Sequence, residues 1–273
     1  APLSPCIIAL NKKDGTLAGE EAEGIGKAIL HCNWSSPSKG KVKGKDAVFF
    51  AGGDGVLYAF DTKFKKDEEG YDIFSTLWKY DCNPADYKKD KDGKIIKYPA
   101  AEGLSEIIAT PTYYNGKVYV AIGQDPEHGE GVGCLSCIEA DTGKKVWEFK
   151  KIKRTISTCA VDASNGLLFA ADYSGYVYCL DAESGELHWV YDQKAHMWGS
   201  PLVADGKVYI GDEDGDFVVL ASDKNMKLLS ETFFPAPIYS TPIVANGILY
   251  VATQSHLYAL YNEDHKKKAA KNK

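Results

Sequence analysis

The sequence lacks the features that mark membrane-spanning, disulfide-stabilised and nucleic-acid-binding proteins. No run of about 18 apolar residues occurs, so no membrane-spanning segment is predicted. The seven cysteines are odd in number and scattered, which does not describe a disulfide framework. Arg154 is the only arginine. Five lysines follow His265 and the residues before them carry a net charge of −11, which argues against a nucleic-acid partner because such a partner needs a basic face.

A short apolar tract recurs along the chain and is the main sequence signal. It occurs at residues 7–10, 57–60, 135–138, 177–180, 217–220 and 257–260, and the last three copies stand 40 residues apart. Such a period predicts propeller blades or a solenoid. The last five copies each follow another apolar segment, at residues 48–51, 118–121, 168–171, 208–211 and 249–252. Turns rich in glycine and aspartate, such as Asp172–Gly175, separate several of these pairs and predict β-hairpins.

Two further strands are predicted in the repeats, although the last repeat has no obvious fourth strand. The upstream strand carries a pair at Ser36-Pro37, Thr110-Pro111, Thr158-Cys159, Ser200-Pro201 and Thr241-Pro242. Proline cannot donate a hydrogen bond to a sheet, so this strand is predicted at a sheet edge. The downstream strand carries Trp147 and Trp189, each four residues after a turn glycine, and Trp78 takes the same place in a stretched repeat.

This combination of aspartate, turn glycine and tryptophan resembles the tryptophan-docking motif of quinoprotein propellers. The chain resembles the pyrroloquinoline-quinone-binding-like repeat proteins, as in Trp34–Pro37, Gly52–Phe60 and Trp198–Gly215. The same superfamily holds the quinoprotein alcohol dehydrogenases and the outer-membrane assembly propeller lipoprotein. The resemblance implies an all-β fold, a β-propeller of four-stranded antiparallel blades.

Five repeats are recognisable, and the N-terminal piece adds a third strand and part of a fourth. We expect one propeller domain over residues 1–262 and a basic, disordered tail over residues 263–273. Related rings usually carry seven or eight blades, so a fragment or an incomplete ring is favoured. A compact ring of five or six blades is the alternative. The first residues resemble a processed or truncated start rather than a signal peptide.

One end of the propeller is the predicted functional face. The turns between second and third strands lie at the same end as the connections from one blade to the next. The insertion at 82–106 falls in such a connection and the insertion at 123–133 falls in such a turn, so both are predicted at this end. A third insertion, 62–76, is predicted at the opposite end. The candidate ligand residues at the channel mouth are His31, Trp34, Arg154, His196, Trp198 and Tyr239. Aromatic faces and one guanidinium suit a flat anionic ligand. The alternative is that Trp34, Trp198 and Tyr239 only wedge between blades.

Metal binding has weaker support. Asp125, Glu127, His128 and Glu130 form an acidic loop that could hold calcium or a transition metal, although a solvated loop is favoured because the ligand pattern of an EF-hand is missing. The run 212–216 is likewise better explained by turn chemistry. Cys134 and Cys137 would point to opposite faces of a strand, which disfavours a metal site. Cys137 and Cys179 are interpreted as small core residues.

Two classes of function remain. As the resemblance describes them, quinoprotein dehydrogenases hold the quinone between a tryptophan and an adjacent Cys-Cys disulfide, with calcium and a catalytic aspartate. This sequence has no adjacent cysteine pair and no recognisable calcium triad, so no cofactor is expected, and pyrroloquinoline quinone with calcium is the lesser alternative. We expect a non-catalytic binding scaffold for a protein or a small anionic or aromatic ligand. The resemblance implies a location in the periplasm or cell envelope.

Overall fold

The computed structural model describes residues 4–29, 33–96, 106–123 and 132–261. These residues form 21 β-strands and two short 3-10 helices, Ile25–Ala28 and Ala85–Lys88. In this part of the chain no helix is both long and apolar enough to cross a membrane. The chain divides into two compact units, Ala1–Thr158 and Cys159–Lys273, and each is described separately.

The first unit contains two antiparallel blades. The first blade comprises β3 (Ser38–Val42), β4 (Lys45–Ala51), β5 (Val56–Lys66) and β6 (Asp72–Asp81), and it is extended by an N-terminal hairpin of β1 (Ile8–Leu10) and β2 (Leu17–Glu20). The second blade comprises β7 (Thr112–Tyr114), β8 (Lys117–Ile122), β9 (Cys134–Glu139) and β10 (Lys145–Phe149). The hairpin joins the first blade through a single parallel bridge between Glu20 and Ile73.

The second unit contains three blades. The first two have four strands each, namely β11 (Ala160–Asp162), β12 (Leu167–Ala171), β13 (Tyr176–Asp181) and β14 (Leu187–Asp192), then β15 (Leu202–Ala204), β16 (Lys207–Gly211), β17 (Asp216–Ala221) and β18 (Leu228–Phe233). The last has three described strands, β19 (Ile243–Ala245), β20 (Ile248–Ala252) and β21 (Leu257–Leu260). The predicted repeats and their strand order are therefore confirmed over the described residues.

The predicted tryptophans occupy one register in each of three blades. Trp78, Trp147 and Trp189 lie opposite a small residue of the third strand, at Ala59, Cys137 and Cys179. The same small residues lie opposite an aromatic residue of the second strand, at Phe49, Tyr119 and Phe169. Each aromatic ring lies 5.8 or 5.9 Å from its tryptophan ring, measured between centroids. A larger side chain in the middle would separate the two rings, which explains why this position holds alanine or cysteine.

Burial supports the predicted role of these positions. Ala59, Cys137 and Cys179 are fully buried. Trp189 is 8% exposed, whereas Trp147 is only half-buried. The ring nitrogens of Trp78 and Trp189 donate to the backbone carbonyls of Ala140 and Asp223 in the following blade, at 2.7 and 2.8 Å. The tryptophan therefore ties each of these two blades to the next.

The repeated Ser/Thr-Pro pairs lie just before the first strand of each blade rather than inside it. The first strands begin one residue after the pair, at Ser38, Thr112, Ala160, Leu202 and Ile243. The pairs instead link neighbouring blades through the hydroxyl of the next repeat. In the first unit Ser36 N–H donates to Thr110 Oγ1 and Thr110 N–H donates to Thr158 Oγ1, and in the second Ser200 N–H donates to Thr241 Oγ1.

The stretch 62–76 is not a loop. It lengthens the hairpin of β5 and β6, because Phe64 pairs with Phe74 and Lys66 pairs with Asp72. The Lys66 ammonium and the Asp72 carboxylate lie 2.9 Å apart near its tip. The Phe64 ring packs so closely on Gly19 of β2 that a Cβ there would lie 2.5 Å from it, so only glycine fits.

Candidate functional site

Hairpin turns and blade connections lie together at one end of the blades in the second unit. Backbone hydrogen bonds join the connection before β15 to both adjoining turns, since Met197 N–H donates to the Tyr173 carbonyl and Glu213 N–H donates to the His196 carbonyl. Ile238, in the connection before β19, donates in the same way to the Asp212 carbonyl. Met197 and Ile238 are fully buried and anchor these connections. The side chains between the anchors are therefore presented on a fixed backbone.

Five of those side chains form a contiguous group, called here the aromatic cluster: Tyr173, His196, Trp198, Glu213 and Tyr239. The His196 ring stacks on Tyr173 with centroids 4.2 Å apart. Trp198 meets Tyr173 edge-on at 5.4 Å and Tyr239 edge-on at 5.6 Å. These edge-to-face distances are favourable for aromatic pairs.

Glu213 is the polar centre of the aromatic cluster. One carboxylate oxygen accepts a hydrogen bond from Trp198 Nε1 at 2.9 Å, and the other lies 2.7 Å from His196 Nδ1. Because an ionised carboxylate only accepts hydrogen bonds, His196 Nδ1 carries the proton. Tyr239 is 45% exposed and Trp198 is 36% exposed, so the cluster offers aromatic surface beside a negative charge.

Buried aspartates hold the hairpin turns beneath these side chains. Asp212 Oδ1 accepts the backbone N–H groups of Asp214, Gly215 and Asp216, which confirms turn chemistry for the run 212–216. Asp172 accepts the Tyr176 N–H and the Tyr178 hydroxyl. Burial raises the pKa of Asp212, and burial also raises the pKa of Tyr178.

The first unit reaches the same turn geometry from a different sequence position. Its first blade has Gly52 where the blades of β11–β14 and β15–β18 have Asp172 and Asp212, and Asp54 follows two residues later. A Cβ on Gly52 would lie 2.4 Å from Asp54 Oδ1, so the Asp54 carboxylate fills that space. It accepts the Val56 N–H and the Tyr58 hydroxyl, as Asp172 does for Tyr176 and Tyr178. Burial raises the pKa of Asp54.

The described bases of the two predicted functional insertions lie side by side in the first unit. Glu106 and Gly123 exchange two backbone hydrogen bonds of 2.9 and 2.8 Å. The Tyr87 hydroxyl donates to the Gly133 carbonyl at 3.3 Å. Gly133 approaches the backbone of Lys153 so closely that a Cβ would lie 1.9 Å from its carbonyl oxygen. Only glycine permits this approach at the root of the second insertion.

Arg154 is not the accessible cation that the sequence suggests. It is 1% exposed and is the largest fully buried side chain of the described residues. Its Cγ packs where a Cβ on Gly123 would stand, 2.9 Å away. The spacing of the repeats places Arg154 correctly before β11, but burial makes it part of the core of the first unit. A role in binding a ligand stays a prediction.

The remaining sequence-based candidates have different outcomes. Trp34 is 51% exposed in the first unit, so burial between blades does not describe it. His31 lies outside the described residues, as do all four members of the acidic loop, Asp125, Glu127, His128 and Glu130. Tyr173 and Glu213 were missed by the sequence analysis. Both directly follow the leading aspartate of a hairpin turn, and that shared position is the signal that could have found them.

The described residues do not fit pyrroloquinoline quinone as the resemblance describes its site. Five of the six described cysteines are buried, and no two of the six are adjacent in sequence. No group of three or more His, Cys, Asp or Glu side chains that could hold a metal ion occurs among residues 4–29, 33–96, 106–123 and 132–261.

Solved structures show the same fold over most of the chain. The crystal structure of BamB from Moraxella catarrhalis matches 92% of this chain and 65% of its own, with a TM-score of 0.66 and 17% identity. The quinohemoprotein alcohol dehydrogenase of Comamonas testosteroni matches 95% of this chain and 50% of its own, with a TM-score of 0.67 and 13% identity. The fold and the repeat register define a β-propeller repeat protein.

The sequence comparisons match a shorter part of the chain than the solved structures do. Residues 131–228 match the family model described as outer membrane protein assembly factor BamB. BamB of Escherichia coli is 24% identical over 143 residues, which cover 48% of this chain and 36% of that protein. Tetrathionate hydrolase of Acidithiobacillus ferrooxidans is 29% identical over 133 residues, 49% of this chain and 24% of that protein. The matched stretch thus spans about a quarter to a third of these curated relatives.

Proposed function

We propose that this chain is a non-catalytic binding propeller of the cell envelope that uses the aromatic cluster to hold a protein partner. The observation that carries the proposal is the exposed pair Trp198 and Tyr239, fixed beside Glu213 on anchored connections. Exposed aromatic side chains on a rigid base are typical binding hot spots. The similarity to BamB, an outer membrane protein assembly factor, supports a scaffold role in the envelope.

The chemistry of the cluster favours a cationic group on the partner. Its five side chains include one carboxylate and no lysine or arginine, and Asp214 is exposed next to Glu213 in the same turn. An arginine or lysine of a partner can pair with Glu213 while its charge lies over the Trp198 ring, an interaction of about 1–2 kcal/mol when desolvated. An anionic ligand would meet repulsion there, and Arg154 is buried.

Peptide binding tests the proposal. We would measure fluorescence anisotropy of three labelled peptides of equal length that carry three arginines, three glutamates or neither. The arginine peptide should bind at least about tenfold more tightly than the glutamate peptide, a difference of about 1.4 kcal/mol. The double variant Trp198→Ala/Tyr239→Ala should remove that preference. Tyr71→Ala, which truncates a 62% exposed tyrosine of the first unit, is the matched control and should change nothing.

Two outcomes would redirect the proposal. Equal binding of the three peptides would remove the aromatic cluster as a charge-selective site. Stoichiometric binding of pyrroloquinoline quinone in the presence of calcium, followed by its absorbance, would instead favour the alternative of a quinoprotein dehydrogenase or a fragment of one. That alternative rests on the fold shared with quinohemoprotein alcohol dehydrogenases, and a fold by itself does not establish a function.

A further inference from the structure

We propose that Asp212 keeps a proton on Oδ2 in the folded protein, donates it to Gln193 Oε1, and by this bond fixes the turn that carries Glu213. Raising the pH removes the proton and loosens the turn, so the order of the aromatic cluster depends on the protonation of a side chain beneath it. The inference concerns the geometry of the cluster and does not depend on what the cluster binds.

The repeat shows which hydrogen bond Asp212 lacks. In two other blades a tyrosine of the third strand donates its hydroxyl to the second oxygen of the turn aspartate. These pairs are Tyr178 with Asp172 Oδ2 at 2.7 Å and Tyr58 with Asp54 Oδ2 at 2.6 Å. The equivalent residue of β17 is Val218, which stands six residues after Asp212 as Tyr178 does after Asp172. Valine has no hydroxyl, so the third strand offers Asp212 Oδ2 no such donor.

A second acceptor lies beside the Asp212 carboxyl. Asp212 is fully buried and Gln193 is 6% exposed, and among the described residues neither Asp212 Oδ2 nor Gln193 Oε1 has a hydrogen-bond partner. The Gln193 amide lies against the Asp212 carboxyl, and its nitrogen donates to the Asp216 carbonyl at 3.0 Å. Two acceptors cannot satisfy each other, and buried acceptors without a donor are destabilising. A proton on Oδ2 makes the carboxyl a donor and satisfies both oxygens.

The surroundings of Asp212 favour its protonated form. Burial raises the pKa of Asp212, and the negative charge of Asp216 adds to that rise. The segments around Asp212 carry the titratable side chains Tyr191, Asp192, Lys194, His196, Glu213, Asp214, Asp216 and Tyr239. Four of these are carboxyls and one is a lysine, so the local charge balance opposes a further negative charge.

The turn that Asp212 holds is joined to both connections that carry the aromatic cluster. Glu213 N–H donates to the His196 carbonyl at 3.0 Å, and Ile238 N–H donates to the Asp212 carbonyl at 2.8 Å. The Glu213 carboxylate in turn accepts Trp198 Nε1–H at 2.9 Å. An ionised Asp212 would be a buried charge with one oxygen unsatisfied, and this state is relieved when the turn opens to water. Glu213 and Trp198 then lose their fixed positions together.

Carboxyl 13C NMR tests the protonation directly. We would follow the side-chain resonance of Asp212, assigned through its bonded Cβ, as the pH is raised. We expect it to titrate above the ordinary value of 3.8, because burial disfavours the charged form. Titration at or below 3.8 would overturn the proposal. Asp212 would then be ionised and would accept a hydrogen bond from the second Gln193 N–H or from water.

Hydrogen exchange tests whether this proton fixes the turn. Asp212→Asn imitates the protonated acid at every pH, because its amide offers an oxygen to the turn and an N–H to Gln193. Exchange of the Gly215 and Asp216 amides should be equal in the two proteins at low pH. Above the titration of Asp212 it should become at least about tenfold faster in the parent protein, and Trp198 Nε1–H should follow. Comparison at one pH cancels the intrinsic pH dependence of exchange.

Asp172→Asn is the matched control, since it changes the same turn position in the neighbouring blade, where the Tyr178 hydroxyl meets the carboxylate. It should leave the pH dependence at Gly215 as it is in the parent protein. The proposal is wrong if the parent protein and Asp212→Asn exchange alike at every pH, or if Asp172→Asn also abolishes the difference. If Asp212→Asn does not fold, the NMR titration of the parent protein decides.

Discussion

Truncation of Trp189 tests how far the tryptophan register stabilises a blade. Its indole is 8% exposed, lies 5.8 Å from the Phe169 ring and donates a 2.8 Å hydrogen bond to the Asp223 carbonyl. Trp189→Ala leaves a large void between two blades and removes the donor that satisfies that carbonyl. Buried aromatic-to-alanine changes cost about 3–5 kcal/mol, and we expect about 4 kcal/mol here.

Urea unfolding followed by far-ultraviolet circular dichroism measures this cost without relying on tryptophan fluorescence. With a slope of about 2 kcal/mol per molar urea, a loss of about 4 kcal/mol lowers the midpoint of the second unit by about 2 M. Trp189→Phe keeps a ring and loses the donor, so it should cost about 1–3 kcal/mol.

Trp198→Ala is the matched control for this experiment. It removes the same side chain from the same unit at a position that is 36% exposed, and it should cost less than about 1 kcal/mol. A shift for Trp189→Ala no larger than that of the control would refute the argument. Backbone pairing rather than the docked indole would then hold the fourth strand.

Three further predictions follow from burial. Cys137 and Cys179 should resist alkylation until the protein unfolds, because both thiols are buried and burial raises the pKa of Cys179 to about 12; rapid native labelling followed by mass spectrometry would contradict this. Arg154→Ala should lower the free energy of unfolding by about 2–4 kcal/mol, measured in urea, because it empties a fully buried volume; an unchanged midpoint would contradict that. Burial raises the pKa of Asp54, so the protonated Asp54 side chain stabilises the fold below the ordinary pKa of 3.8, and this stabilisation is lost as the pH rises through the pKa of the folded state. Asp54→Asn should flatten this dependence of the free energy of unfolding on pH. An identical pH profile for the variant and the parent protein would refute the prediction.

The repeat made the fold predictable from sequence. A strand pair, a turn glycine and a tryptophan recur in one order, so an error in one repeat would have conflicted with the others. The stretch 62–76 escaped this logic because it occurs once. Its lysines and acidic residues suggest a loop, whereas the pairing of Phe64 with Phe74 and of Lys66 with Asp72 shows a longer hairpin.

The candidate site was only partly predictable, because repeats give position along a strand but not what covers a side chain. His196, Trp198 and Tyr239 were identified from their places before the first strands, and the structure brings them together. Arg154 has an equivalent place and is buried. Glu213 was overlooked because acidic residues are common in turns, and its bond to Trp198 joins segments 15 residues apart.

The blade of β15–β18 shows that the small residue of the third strand and the tryptophan of the fourth strand depend on each other. In the blade of β15–β18 the small residue and the tryptophan change together, to Val219 and Ser230, and β18 is exposed throughout. In the last blade the small residue persists as Ala259 opposite Tyr250. A third strand has no intrinsic need for alanine, since β-branched residues fit a strand better, as Val219 does. The small residue of the third strand is therefore best explained by the tryptophan ring that packs beside it in the blades of β3–β6, β7–β10 and β11–β14.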